Sequence, residues 1–216
     1  MTNKHGNDPT ASMEPIGQIL QDESMLPSES MRTCLDLQLS LIPRPLPHPP
    51  ANRSPASVSE SARLMIRDVV TGKLPWPLTL WGGVGTGKTC AALCILDRCI
   101  FSRRYYTVVE FVERARLAGC GELEGMTITG FWDYWHNADI TCLDELGSRS
   151  NREKVSDHHY ETVKRAIDSR QEQPAIWISN LSLEELATVY DDRIASRLSE
   201  GTVVHMAGED RRVRKT

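Results

Sequence analysis

An α/β fold, with a parallel β-sheet carrying helices on both faces, is the architecture this chain predicts. Three observations carry that expectation. A short apolar segment, Leu78-Thr-Leu-Trp81, runs straight into the glycine-rich Gly82-Gly-Val-Gly-Thr-Gly-Lys-Thr89. A second apolar run, Ile140-Thr-Cys-Leu143, ends in the adjacent carboxylates Asp144 and Glu145. Strand-like and helix-like patterns then alternate as far as Met206. Such alternation specifies parallel strands with helical crossovers, and a sheet of that kind binds its ligands at the carboxyl ends of its strands.

Each element follows from local pattern. Val58, Ala62, Met65, Ile66 and Val69 fall at near-helical spacing, and Gly72 stops the run, which predicts a helix ahead of the first strand. The strand at 78–81 and the glycine-rich turn lead into a buried helix over 90–99. A strand is expected over 105–109, a helix over 110–117, and a short helix over 131–136 feeding the run at 140–143. Then come a helix over 156–170, a strand over 175–179, short helices over 183–189 and 192–198, and a last strand over 202–206.

The first 55 residues are of another kind. They hold nine of the chain's 12 prolines in a Ser-rich, weakly periodic sequence, which predicts a largely disordered arm before a single ordered domain over 56–216. Within the arm, Met31, Leu35, Leu37, Leu39, Leu41 and Ile42 either dock a partner or pack loosely on the domain. Arg44-Pro-Leu-Pro-His-Pro-Pro50 fits a polyproline ligand pattern that any proline-rich tract can match by chance.

Composition excludes several classes. Hydrophobic residues make up 40% and charged residues 25%, and no apolar run is long enough to span a bilayer, so a soluble protein without a membrane role is expected. The opening residues lead into no continuous apolar segment, which points to the cytoplasm. The six cysteines include no C-x-x-C pair, so reduced, mostly buried thiols are expected rather than a metal site. A net charge of −4 argues against coating nucleic acid through bulk charge, leaving local basic patches, of which Arg211-Arg-Val-Arg-Lys215 is the clearest, as either a DNA contact or a solvated tail.

The glycine-rich segment is a complete G-x-x-x-x-G-K-[ST] loop in a strand-to-helix setting, the cradle for a nucleoside triphosphate. Gly82, Gly83, Gly85 and Gly87 can take angles other residues resist, so the loop's amides turn inward onto anionic oxygens. With Val84, Thr86 and Cys90 they complete the expected ATP contacts. Lys88 would reach the β- and γ-phosphates, and Thr89 would offer its hydroxyl to Mg²⁺ at the positive end of a helix. Asp144, about fifty residues on, would hold Mg²⁺ through water, and Glu145 would deprotonate the water attacking the γ-phosphate. An adjacent Glu favours an ATPase over a small-molecule kinase. Ile176-Trp-Ile-Ser-Asn180 is a further buried strand ending in an amide, and Asn180 can bond the attacking water or the γ-phosphate if its strand lies beside that of Asp144.

From Thr79 to Arg212 the chain resembles the DnaC-type helicase loaders and the related IstB-type transposition helpers of the AAA+ P-loop ATPases. The resemblance rests on Trp81 to Thr89, Leu143-Asp-Glu-Leu-Gly147, Ala166-Ile-Asp-Ser-Arg170, Ile178-Ser-Asn-Leu181, Leu183-Glu-Glu-Leu186 and Asp192-Arg-Ile-Ala-Ser-Arg-Leu198. It implies an arginine finger supplied to a neighbouring subunit, which maps onto Arg197 with Arg193 a turn earlier as second candidate, and hence an ATP-dependent homo-oligomer. Because ten residues follow Met206, the helical lid of this family is expected to be absent or vestigial, with Arg211 or Arg212 near the nucleotide only if the tail folds back. The leading functional expectation is an ATP-dependent replication accessory protein that binds single-stranded DNA and a replicative helicase. A transposase helper acting on duplex DNA and a nucleotide-gated scaffold with negligible hydrolysis are the alternatives.

Overall fold

Strands β1 (Leu78–Trp81), β3 (Ile140–Leu146) and β4 (Ala175–Ser179) are apolar on both faces, so each has to be covered above and below. The computed structural model, which describes residues 59–99, 102–148 and 156–210, shows how this is met. With β2 (Arg103–Thr107) and β5 (Thr202–His205) they form one five-stranded sheet of order β2-β3-β4-β1-β5, every neighbouring pair parallel. The proline-rich arm, with its leucine-bearing and polyproline-like segments, and the basic tail from Arg211 lie outside the described residues.

Two cores result. Helices α1 (Glu60–Val70) and α2 (Lys88–Arg98) cover one face, where Val69, Leu93 and Leu96 pack on Leu78, Leu80, Cys142 and Ile178. The other face is covered by α3 (Val108–Cys120), α4 (Ile128–His136), α5 (Asp157–Asp168), α6 (Leu183–Val189) and α7 (Asp192–Ser199). There Phe111, Trp135, Val163, Leu186 and Leu198 meet Leu143 and Trp177. Alternate residues of β4 feed the two cores, Ile176 and Ile178 to one and Ala175 and Trp177 to the other. The buried Thr79 ties the layers together by donating to Leu198 O of α7 at 2.6 Å.

The element order matches expectation, but several boundaries differ for identifiable reasons. β2 starts at Arg103 rather than Tyr105, because Arg103 Nη1 donates to Leu96 O at 2.6 Å and to Cys99 O at 3.3 Å, capping the end of α2. It stops at Thr107 rather than Val109, because Thr107 and Glu110 form a reciprocal capping box that starts α3 at Val108. That helix runs on to Cys120, where Gly121 takes φ 74°. Thr127 caps Gly130 N at 3.1 Å and so brings the start of α4 forward to Ile128. On α1, Met65 faces solvent at 37% exposure rather than the core, and Ala62 and Val69 carry the buried face. Cys90, Cys99 and Cys142 are buried, Cys94 is half-buried and Cys120 is exposed, all as reduced thiols. Among the described residues no helix is long and apolar enough to cross a membrane, and none follows β5.

α5 ends two residues short of Arg170, whose side chain turns inward and is 1% exposed. Its guanidinium donates to His136 O, Ala138 O and Pro174 O at 2.8 Å each, and to Asp139 O at 3.5 Å, joining the ends of α4 and α5 to the entries of β3 and β4. Burial draws its pKa down to about 10. Removing this fork would orphan several buried carbonyls at once. Arg170→Ala should therefore cost about 3 kcal/mol or more of stability, read from the urea midpoint, and Arg170→Lys, whose compact ammonium lacks the planar fork, should recover only a minor part.

Candidate functional site

The loop from Gly82 to Gly87 leaves the carboxyl end of β1 and closes against the chain that follows β5. Met206 N donates to Trp81 O at 2.7 Å, and the segment beyond it crosses the loop so closely that side chains are excluded beneath it. At Gly82, with φ 143°, a Cβ would lie 2.4 Å from Met206 O, and at Gly85, with φ 75°, it would overlap the Asp210 carboxylate. Gly87 caps α2 in the left-handed region at φ 98°. Gly83 departs from expectation: its φ is not positive, and a Cβ there would meet nothing nearer than Thr86 Cγ2 at 3.9 Å. Thr86 Oγ1 closes the turn on Gly83 O at 2.9 Å. The buried Lys88 reaches back over the loop, its Nζ donating to Gly82 O at 2.7 Å and Gly83 O at 2.6 Å.

Beside this cradle stands Asp144, 3% exposed and surrounded by donors. Its Oδ2 accepts from Thr89 Oγ1 and from Tyr105 Oη, both at 2.8 Å, and its Oδ1 accepts from Glu145 N at 2.7 Å. Tyr105 is a site residue that the sequence does not flag; it comes to Asp144 because β2 pairs with β3 so that Thr107 opposes Asp144 and Tyr105 opposes Cys142. Burial, then the nearby Asp144 charge, push the Tyr105 phenol well above its ordinary pKa.

Glu145 is aimed by a defect in the ladder. Leu143 pairs with Trp177 and Leu146 with Ser179, so β3 carries one residue more than β4 across this span. The extra length is taken up at Glu145, whose φ of 63° lies in the left-handed region and whose side chain is exposed between two buried neighbours. Ser179 anchors the far side, donating to Leu146 O at 2.7 Å and accepting from Leu181 N at 2.9 Å, and Asn180 follows it into the open. Gly85, Lys88, Thr89, Asp144, Glu145 and Asn180 thereby line one cavity of about 100 Å³, to which Val84, Gly87 and Cys90 also contribute. Immediately past it, Gly147 N donates to the Tyr190 hydroxyl at 3.3 Å at the α6–α7 joint.

Arg193 and Arg197 are not in this cavity. They lie on the exposed flank of α7 and line, with Lys164, Asp168 and Asp192, a wider groove of about 560 Å³ against α5. Arg197 pairs with Asp168 at 3.3 Å and with Glu200 at 2.6 Å, and the Glu200 contact holds its pKa above the ordinary value.

The donor set at the cradle fits Mg²⁺ carried in with a nucleotide. Mg²⁺ takes hard oxygen ligands from one or two carboxylates or hydroxyls and completes its shell with phosphates and water. Thr89 and Asp144 supply one hydroxyl and one carboxylate already in contact, and among the described residues no group of three or more His, Cys, Asp or Glu could hold a metal unaided.

Comparison with known proteins agrees at the level of the fold. No family model matches the chain, and no curated protein matches it in sequence. Among solved structures, AMPPCP-bound DnaA from Aquifex aeolicus matches over 68% of this chain and 47% of its own, with 23% identity and a TM-score of 0.55. The DnaC helicase loader matches over 67% of this chain and 85% of its own, with 20% identity and a TM-score of 0.52. DnaI matches over 71% and 90%, with 22% identity and a TM-score of 0.52. The chain spans about half the length of the first three solved structures it matches, at 46% or 47% of each. The chain thus shares the fold of DnaA, the DnaC helicase loader and DnaI.

The left-handed backbone at Glu145 has a measurable cost. Glu145→Gly should raise stability by about 1 kcal/mol by relieving the angle, whereas Glu145→Ala, which keeps a Cβ there, should gain nothing. Urea midpoints of the two variants compared with the parent check this.

Proposed function

We propose that this chain, built on the AAA+ P-loop fold, is a Mg²⁺-dependent ATPase that serves DNA replication as a helicase-loader-like accessory protein. The observation that carries the reading is the convergence of Lys88, Thr89, Asp144, Glu145 and Asn180 on one cavity under the phosphate loop. Lys88 would exchange the loop's carbonyls for the β- and γ-phosphates, and the amides of 85–89, at the head of α2, would hold the remaining phosphate oxygens. Thr89 and, through water, Asp144 would hold the Mg²⁺ brought in with ATP, which would supply positive charge against the phosphates.

Glu145, turned outward by the bulge, is the group to accept a proton from water attacking the γ-phosphate, with Asn180 orienting that water from the next strand. Arg193 and Arg197, remote from their own cavity, suit an arginine delivered to a neighbouring copy's ATP, so turnover would depend on assembly. Arg197 would give up Asp168 and Glu200 to do so. Single-stranded DNA and a replicative helicase are the proposed partners. A DnaA structure with the same fold is bound to AMPPCP and single-stranded DNA, and the DnaC neighbour is a helicase loader.

Steady-state ATP hydrolysis, measured alone and with single-stranded or duplex DNA, tests the reading. Stimulation by single strands is expected. Stimulation by duplex alone would move the assignment to a transposition helper, and no turnover in any condition would reduce it to a nucleotide-gated scaffold. Lys88→Ala should lose nucleotide affinity, and Glu145→Gln should keep affinity while turnover falls by about 100-fold or more. Arg193→Ala and Arg197→Ala should each bind ATP normally, and mixing the finger variant with Glu145→Gln should restore hydrolysis that neither shows alone.

A further inference from the structure

Asp144 has more donors than a carboxylate at the end of a strand requires, and their arrangement is directional. An ionised carboxylate offers about four lone-pair positions, two on each oxygen. Thr89 Oγ1 and Tyr105 Oη fill both positions of Oδ2, and Glu145 N fills one on Oδ1. One position on Oδ1 is left. The three donors come from three separate elements: the head of α2, the middle of β2, and the bulge of β3. Tyr105 is fixed independently of the loop, since its ring packs against the core on the α1–α2 face and its backbone is paired opposite Cys142.

We propose that Tyr105 is a positioning residue for the magnesium–nucleotide complex, its hydroxyl occupying Oδ2 of Asp144 so that a single lone pair of Oδ1 addresses the metal's water shell. The proposal rests on the reading of the cradle as a magnesium–nucleotide site and adds a residue to it. Without the hydroxyl, Oδ2 regains an open acceptor and the carboxylate can turn, so the metal's water meets two competing positions instead of one. Residues that orient a metal-binding group in this way typically change metal affinity about 10-fold to 100-fold when removed. The Tyr105 hydroxyl donates to Asp144 rather than to the loop, so phosphate binding without metal is expected not to depend on it.

The test is a titration of the full chain with a fluorescent, non-hydrolysable ATP analogue, first in chelator and then at increasing free Mg²⁺. Tyr105→Phe should match the parent in chelator and need about 10-fold more Mg²⁺ to reach half of its metal-dependent gain in affinity. Tyr105→Met, which likewise removes the hydroxyl, should shift the curve in the same direction. Tyr134→Phe serves as control, because the buried Tyr134 hydroxyl has no hydrogen-bond partner among the described residues and stands outside the cavity. Superimposable Mg²⁺ curves for the parent and Tyr105→Phe would overturn the proposal, as would an equal shift in Tyr134→Phe. If Tyr105→Phe does not fold, Tyr105→Met decides: a curve shifted to higher Mg²⁺ supports the proposal and a parental one overturns it. A parent that shows no Mg²⁺-dependent binding would instead remove the nucleotide reading on which the proposal stands.

Discussion

Burial of β1, β3 and β4 on both faces is the constraint from which the rest of the molecule follows. Each large apolar side chain taken fully out of water contributes about 2–3 kcal/mol, and Leu80, Leu143, Ile176 and Trp177 are all essentially inaccessible. A sheet with two such faces requires helices above and below it, and parallel strands put every connecting helix in one of those layers. The same arrangement brings the carboxyl ends of the three central strands to one rim. The phosphate loop, the Asp144–Glu145 pair and Asn180 share a cavity because they are the three strand exits along that rim.

Polar groups inside this frame are held by backbone in two different ways. Arg170 is surrounded by carbonyls of the turns where α4, β3, α5 and β4 meet, and its fork geometry makes it a permanent clasp. Lys88 is also held by carbonyls, but these belong to a loop of glycines at an open rim. A point charge on a flexible stem can exchange such partners for phosphate oxygens, whereas a buried planar fork satisfied on several sides has no reason to let go. Burial and charge alone do not tell the two apart; Lys88 lines the cavity at the rim, whereas Arg170 is enclosed by backbone carbonyls.

What was legible in the sequence is what backbone chemistry demands locally. A loop that wraps phosphate needs glycine at particular positions and lysine at the head of the next helix, so 82–89 announces itself, and an apolar strand ending in Asp-Glu is visible once that loop is present. The strand exits and the element order were accessible for the same reason. Thr107 and Arg103 were misread because valines at 108 and 109 favour strand locally, while a capping box and a helix-end arginine decide the boundaries. Tyr105 was invisible for a deeper reason: its partner is 39 residues away, and only the register of β2 on β3 brings them together. The bulge at Glu145 likewise exists only as a mismatch between two strands.

The segment after β5 lies on the phosphate loop with no room for a methyl group at Gly82 or Gly85. The backbone of Asp210 itself lies against Gly85 of the loop. A dye or spin label carried at that position therefore sits within a few ångströms of the loop, and its signal would respond to rearrangement there without any label on the cradle itself. The same proximity makes the position a poor place for a bulky fusion and a good one for a short tether.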